Sequence, residues 1–237
     1  MTLDQAENLL IVPGYQGSGE CHWQTWLRRQ LPGSQVLDDV NWHKPVLADW
    51  AERVREEIAL ATAPLWIVAH SFGCLATAVA VADCPQGVAG VILVAPADPA
   101  RFNLLGLNTA DSERLGARKL QISTLADVLR DKALDVPGLL IASENDPWLT
   151  LEDAGRWAQV WGLEVHNAGH AGHINPESGF GPWPQLLEIL SLLQSRHVSS
   201  AMSIPGIHHR MSRERGSLLA KVRRHTRAQL NHVSTAL

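Results

Sequence analysis

Cysteine is scarce in this chain: Cys21, Cys74 and Cys84 are the only three in 237 residues, and none forms a C-x-x-C pair. That excludes a disulfide framework and fits a reducing, cytoplasmic setting. No run of eighteen apolar residues occurs, so no membrane-spanning helix is expected. The first eight residues are polar and acidic, which is wrong for a signal peptide. Tyrosine and phenylalanine are few, one and three, against nine tryptophans. So many indoles in one chain are expected to line a pocket or the edge of a core. The stretch Gly14-Tyr15-Gln16-Gly17-Ser18-Gly19 lacks the G-x-G-x-x-G spacing, and no Lys-Ser/Thr pair follows it. A dinucleotide site or a P-loop is therefore not expected, and neither is a cofactor. The chain contains no internal repeat.

What is present is the material of a globular domain: 46% hydrophobic and 19% charged residues. Charge divides it. Residues 197–237 carry seven Lys/Arg and one Asp/Glu, whereas residues 1–196 carry thirteen and twenty-three. We therefore expect a domain over 1–196 and a basic extension over 197–237, disordered or loosely helical. Contact of that extension with anionic surfaces is a hypothesis resting on charge alone, and no nucleic-acid partner is expected for the domain.

Short apolar runs alternate with helical periodicity. Strands are expected at 9–12, 36–37, 65–69, 88–95, 139–142 and 163–165. Helices are expected at 22–31, 45–61, 72–82, 151–161 and 183–193. Strands without polar breaks, alternating with helices, predict an α/β fold with a parallel sheet covered on both faces. Residues 97–136 are the least regular and read as a long insertion after a strand, shaped as a partial lid.

The run Leu65-Trp66-Ile67-Val68-Ala69-His70-Ser71-Phe72-Gly73 reads as a strand, a tight turn and a helix start. A serine on such a turn is a nucleophile elbow, although the usual first glycine is Ala69 here; the plain alternative is a helix N-cap. A serine needs a base to take its proton and an acid to orient that base. The later strands are followed by Ser143-Glu144-Asn145-Asp146-Pro147-Trp148 and by Asn167-Ala168-Gly169-His170-Ala171-Gly172-His173. Asp146, with Glu144 as the alternative, and His173, with His170 as the alternative, stand in the order such a site requires. Two N–H donors for an oxyanion are expected from Phe72 and from Tyr15 or Gln16.

These blocks resemble the small α/β-hydrolase family of serine hydrolases that includes the retinoblastoma-binding serine hydrolase of vertebrates and compact bacterial relatives. The resemblance runs over residues 8–195. It rests on Val12-Pro13-Gly14-Tyr15, His22-Trp23-Gln24-Thr25-Trp26, Ala48-Asp49-Trp50, Ala69-His70-Ser71-Phe72-Gly73, Ala95-Pro96-Ala97-Asp98, Ser143-Glu144-Asn145-Asp146-Pro147 and Gly172-His173-Ile174-Asn175. It implies a minimal hydrolase sheet of about six parallel strands. It also implies Ser71 as nucleophile, Asp146 as acid and His173 as base. The Gly-His-Ile-Asn match decides for His173 over His170. The Leu-x-Cys-x-Glu motif of the vertebrate member is absent, so no retinoblastoma-type partner is expected.

The expected activity is hydrolysis of a small ester, thioester or amide acyl substrate, carboxylesterase-like. The alternative is a non-catalytic binding module on a hydrolase scaffold. Trp23, Trp148 and Trp183 stand in the motif loops as walls of a substrate pocket or as packing that holds those loops. His70 is read as packing at the elbow or as shaping the acyl pocket. His166, His170 and His173 fall at helical spacing, but Gly169 and Gly172 oppose a helix, and no catalytic metal is expected.

Overall fold

The computed structural model describes residues 8–104 and 123–201. Six strands form one sheet: β1 Leu9–Val12, β2 Gln35–Val36, β3 Leu65–His70, β4 Val88–Val94, β5 Gly138–Ala142 and β6 Glu164–Asn167. Their spatial order is β2-β1-β3-β4-β5-β6, and every pairing is parallel. Between them lie α1 Trp23–Gln30, α2 Leu47–Leu60, α3 Phe72–Asp83, a short α4 Leu125–Leu129, α5 Leu151–Trp161 and α6 Pro184–Ala201.

Successive side chains of a strand point to opposite faces, and here both faces are buried. Leu10 and Val12 of β1 join one core with Ile67 and Ala69 of β3, and α2, α3 and α5 cover it. Leu9 and Ile11 join the other with Trp66 and Val68, under α1 and α6. This is why β3 and β4 read as unbroken apolar runs: each is buried at every position. No described helix is long and apolar enough to cross a membrane.

The chain starts at β1, steps outward to β2, then returns to β3 on the other side of β1. The loops after β1 and β3 thus leave the sheet in different directions and open a crevice at the strands' carboxyl ends. Ligands bind α/β sheets at such a switch point.

Element bounds follow the expectation closely at α1, α2, α3 and α5, whereas α6, expected to end at 193, runs eight residues further, and β6 is also displaced. The strand expected at 163–165 is Glu164–Asn167. The left-handed Gly162 closes α5, and Leu163 packs into the core before pairing begins. α6 runs to Ala201, past the expected boundary at 196. The remainder of the basic extension lies outside the described residues, as does the middle of the expected lid, 105–122. The flanks of that segment meet: Asn103 bridges to Thr124, and Leu125 N–H donates to Phe102 O at 3.0 Å.

Candidate active site

Ser71 joins β3 to α3 in a conformation that L-residues rarely adopt, φ 52° and ψ −122°. Such backbone strain costs on the order of 1–3 kcal/mol and persists where the surroundings impose it. The surroundings here are tight. A Cβ on Gly73 would lie 2.3 Å from Pro13 O, and one on Gly14 would lie 2.8 Å from Ser71 Cβ. Only glycines allow the β1 loop and the start of α3 to approach this closely. Ala69, in place of the usual glycine, is fully buried in the sheet and causes no break in β3.

The Ser71 side chain makes no helix-cap hydrogen bond, so the plain N-cap role does not apply. Its Oγ lies 2.9 Å from His173 Nε2. On the far side of the ring, His173 Nδ1 lies 3.0 and 2.9 Å from the two carboxylate oxygens of Asp146. A carboxylate only accepts, so Nδ1 carries the ring proton and Nε2 presents a lone pair to the Ser71 hydroxyl. Asp146 is held in turn by Trp148 N–H, which donates to Oδ1 at 2.8 Å. The side chains of Asp146 and His173 are 2% and 9% exposed, so this chain of contacts is shielded from water. The arrangement can withdraw a proton from a hydroxyl and stabilise the resulting imidazolium.

Ser143 ties the two supporting loops together. It is buried, donates to Asn145 Oδ1 at 2.9 Å and accepts from Ala171 N–H at 3.0 Å. Asn145 Oδ1 also takes Gly172 N–H at 2.8 Å. Neither residue stands out in the sequence as more than a neighbour of Asp146. Asp146 is not the cap of α5; Thr150 fills that place, accepting from Asp153 N–H. His166, His170 and His173 do not share a helix face: His166 is in β6, and His170 lies in the loop beside Glu144.

Two expectations need correction. Gln16 cannot give its N–H to an oxyanion, because that N–H donates to Trp42 O at 2.9 Å. Tyr15 N–H and Phe72 N–H, by contrast, donate to no described group. Trp23 is not a pocket wall. It is fully buried, and its Nε1–H donates to Ile174 O at 2.8 Å. Trp183 packs edge-on against it at 5.5 Å between centroids, and is likewise core. Both rings are large apolar surfaces that the α1–α6 face of the sheet needs more than the solvent-facing crevice does.

Trp148 differs: the residue is 38% exposed, and its ring lies 6.1 Å from that of His173. Arg101 lies over the indole at 5.6 Å. A cavity of about 350 Å³ lies on the other side of the β1 loop, bordered by Pro13, Gln16, Arg28 and Trp42, and it does not reach Ser71.

His70 is buried, with its Nε2 3.0 Å from His173 O. A carbonyl only accepts, so His70 is the Nε2–H tautomer. Burial, reinforced by the nearby His173 and His22, holds its pKa well below the usual histidine value. His22 is the side-chain cap of α1, accepting Gln24 N–H on Nδ1. Burial, and then the charge of His173, lower its pKa to about 4. The His-Trp-Gln block is distinctive in the sequence, but nothing in its pattern singles out His22 or Gln24 for these contacts. Gln24 donates its amide to Val12 O at 3.0 Å, tying α1 to the sheet.

A six-stranded parallel sheet carrying a serine on a strained turn between a central strand and a helix is the fold of the α/β-hydrolases. More particularly, the chain belongs to the serine hydrolase family, which it matches over residues 9–192. The crystal structure of a YdeN-like hydrolase from Pectobacterium atrosepticum SCRI1043 is similar to it, at 35% identity and TM-score 0.68, covering 80% of this chain and 91% of that one. A Bacillus subtilis (strain 168) protein described as "Putative hydrolase YdeN" is 24% identical over 191 residues, 78% of this chain and 95% of its own length. The carboxylesterase CesB (YbfK) of Bacillus subtilis shares the fold at 13% identity and TM-score 0.51, with 78% and 81% of the two chains covered.

Proposed function

We propose that this hydrolase cleaves a small ester, thioester or amide through an acyl-enzyme on Ser71, with His173 as base and Asp146 as its orienting acid. The observation that carries the reading is the unbroken contact from Ser71 Oγ through His173 to Asp146, at 2.9 Å on either side of the imidazole. His173 Nε2 takes the hydroxyl proton as Ser71 Oγ attacks the carbonyl carbon. Phe72 and Tyr15 N–H groups stabilise the oxyanion. The imidazolium then protonates the leaving group. Water, deprotonated by His173, releases the acid and restores Ser71.

No cofactor enters these steps. The Trp148 ring, 6.1 Å from that of His173, gives the reacting centre an aromatic neighbour, which favours carboxylesterase-type turnover of a small-molecule acyl substrate. The three cysteines are free, consistent with a reducing, cytoplasmic setting. Labelling with a fluorophosphonate probe tests the reading. Wild type and Ser195→Ala, which changes an exposed α6 serine whose hydroxyl donates to Ser191 O, are expected to label and Ser71→Ala is not; labelling that survives in Ser71→Ala removes it.

A further inference from the structure

His173 and Ile174 present adjacent main-chain carbonyls to two buried rings. His70 Nε2–H donates to His173 O at 3.0 Å, and Trp23 Nε1–H donates to Ile174 O at 2.8 Å. The backbone they hold is strained: φ is 54° at Gly172 and 48° at Ile174. A β-branched residue at positive φ is a genuine outlier and persists only where its surroundings over-determine it.

The two donor rings are themselves fixed. They meet at 89° with centroids 5.7 Å apart. His22 packs edge-on against His70 at 4.9 Å, and Trp183 does the same to Trp23 at 5.5 Å. His22 is pinned as the cap of α1, and Gln24 pins α1 to β1. Burial keeps His70 neutral, so its single ring proton stays on the nitrogen that faces the carbonyl.

We propose that His70 and Trp23 are positioning residues, a two-donor clamp on the carbonyls of His173 and Ile174 that holds the His173 imidazole in line between Ser71 and Asp146, with His22 bracing His70. The clamp rests on the proposed roles of those three residues. It accounts for the His22-Trp23-Gln24 block, because α1 brings Trp23 to the loop that carries the base, while β3 brings His70 to it immediately before the nucleophile. Neither clamp nitrogen is left to contact substrate, since each is spent on a main-chain oxygen.

The test compares His70→Gln, His70→Asn and Trp23→Phe in the full chain. Glutamine carries an amide donor at about the reach of the lost Nε2, asparagine falls one methylene short, and phenylalanine keeps an aromatic ring without the donor. Hydrolysis of p-nitrophenyl acetate, fluorophosphonate labelling rate and the downfield proton resonance of His173 Nδ1–H are measured. His70→Asn and Trp23→Phe are expected to lower kcat and labelling by about ten- to a hundredfold with KM changed by less than about twofold, as misplacement of a reacting group does. Both are expected to weaken the downfield resonance, and His70→Gln to recover most of both losses. Unchanged kcat in the folded variants, or a loss that appears in KM alone, overturns the clamp, as does failure of His70→Gln to recover. The two donors come from different elements, so if one variant does not fold the other decides. The resonance is read without turnover. If Ser71 does not label in wild type, the hydrolytic reading fails. The clamp is then judged on the resonance, and a signal unaltered in His70→Asn and Trp23→Phe removes it.

Discussion

Glu144 Oε2 and His170 Nδ1 lie 3.0 Å apart, so the two groups that rival Asp146 and His173 in the sequence are paired with each other. Their side chains are 40% and 77% exposed, against 2% and 9% for Asp146 and His173. An exposed pair is screened by water and contributes about 0–1 kcal/mol, whereas the shielded pair fixes one tautomer of the base. Asp146→Asn is expected to lower kcat about 10⁴-fold, as the same change does in a Ser-His-Asp triad. Glu144→Gln and His170→Gln are expected to stay within about twofold of wild type, since surface substitutions seldom matter beyond ~0.5 kcal/mol. Steady-state hydrolysis of an aryl ester separates the three.

Gly73 is expected to tolerate no side chain. A Cβ there would meet two consecutive carbonyl oxygens, Pro13 O at 2.3 Å and Val12 O at 2.8 Å. Main-chain carbonyls cannot rotate away as the end of a side chain can, so the end of β1 with its loop, or α3, must shift. Gly73→Ala should destabilise by about 1–3 kcal/mol, as overpacking does, and displace the β1 loop from Ser71. A lowered urea midpoint together with slower fluorophosphonate labelling checks both effects.

His22 makes stability depend on pH. The folded chain binds its proton only near pH 4, whereas an unfolded histidine does so near 6.5. Between those values the unfolded chain holds more protons, so stability rises with pH through this window and falls as the medium is acidified. The contribution is at most about 3 kcal/mol, and buried His70 acts in the same direction. In His22→Asn, which keeps a capping acceptor, the drop in urea midpoint between pH 7 and pH 5 should be smaller than in wild type. An equal drop would remove His22 as a source.

Trp148 should affect substrate binding more than chemistry. Its backbone N–H orients Asp146, while its partly exposed indole lies 6.1 Å from the His173 ring. Trp148→Ala retains the N–H and removes the ring. KM for an aryl ester is expected to rise several-fold with kcat changed little, the pattern of lost uniform binding. Thermal unfolding should move little, because the ring is not part of the core.

Much of the fold is legible in the chain itself because it depends on local periodicity. β3 and β4 read as apolar runs since helices cover both sheet faces, and α2 shows its helical stripe through Leu47, Trp50, Val54 and Ile58. β6 is less legible: it is an edge strand, only partly buried, and its pattern is diluted by Glu164 and Asn167. The site is legible as an order of motifs, Ser71 then Asp146 then His173. It is not legible as a set of contacts. Trp23, Trp148 and Trp183 look alike in sequence, yet two are core and one is partly exposed beside His173.

The sequence by itself determined the α/β class, the glycines around Ser71 and the residue types of the candidate triad. These follow from periodicity, steric size and chemical type, which each residue carries wherever the chain goes. Tertiary structure alone decided which carboxylate meets which imidazole, which loop N–H is already spent, and that His70 and Trp23 converge on the loop bearing His173. Those are contacts across as many as 151 positions of chain. They arise because parallel pairing places the carboxyl ends of β1, β3, β5 and β6 on one side of the sheet, and no local pattern encodes that convergence.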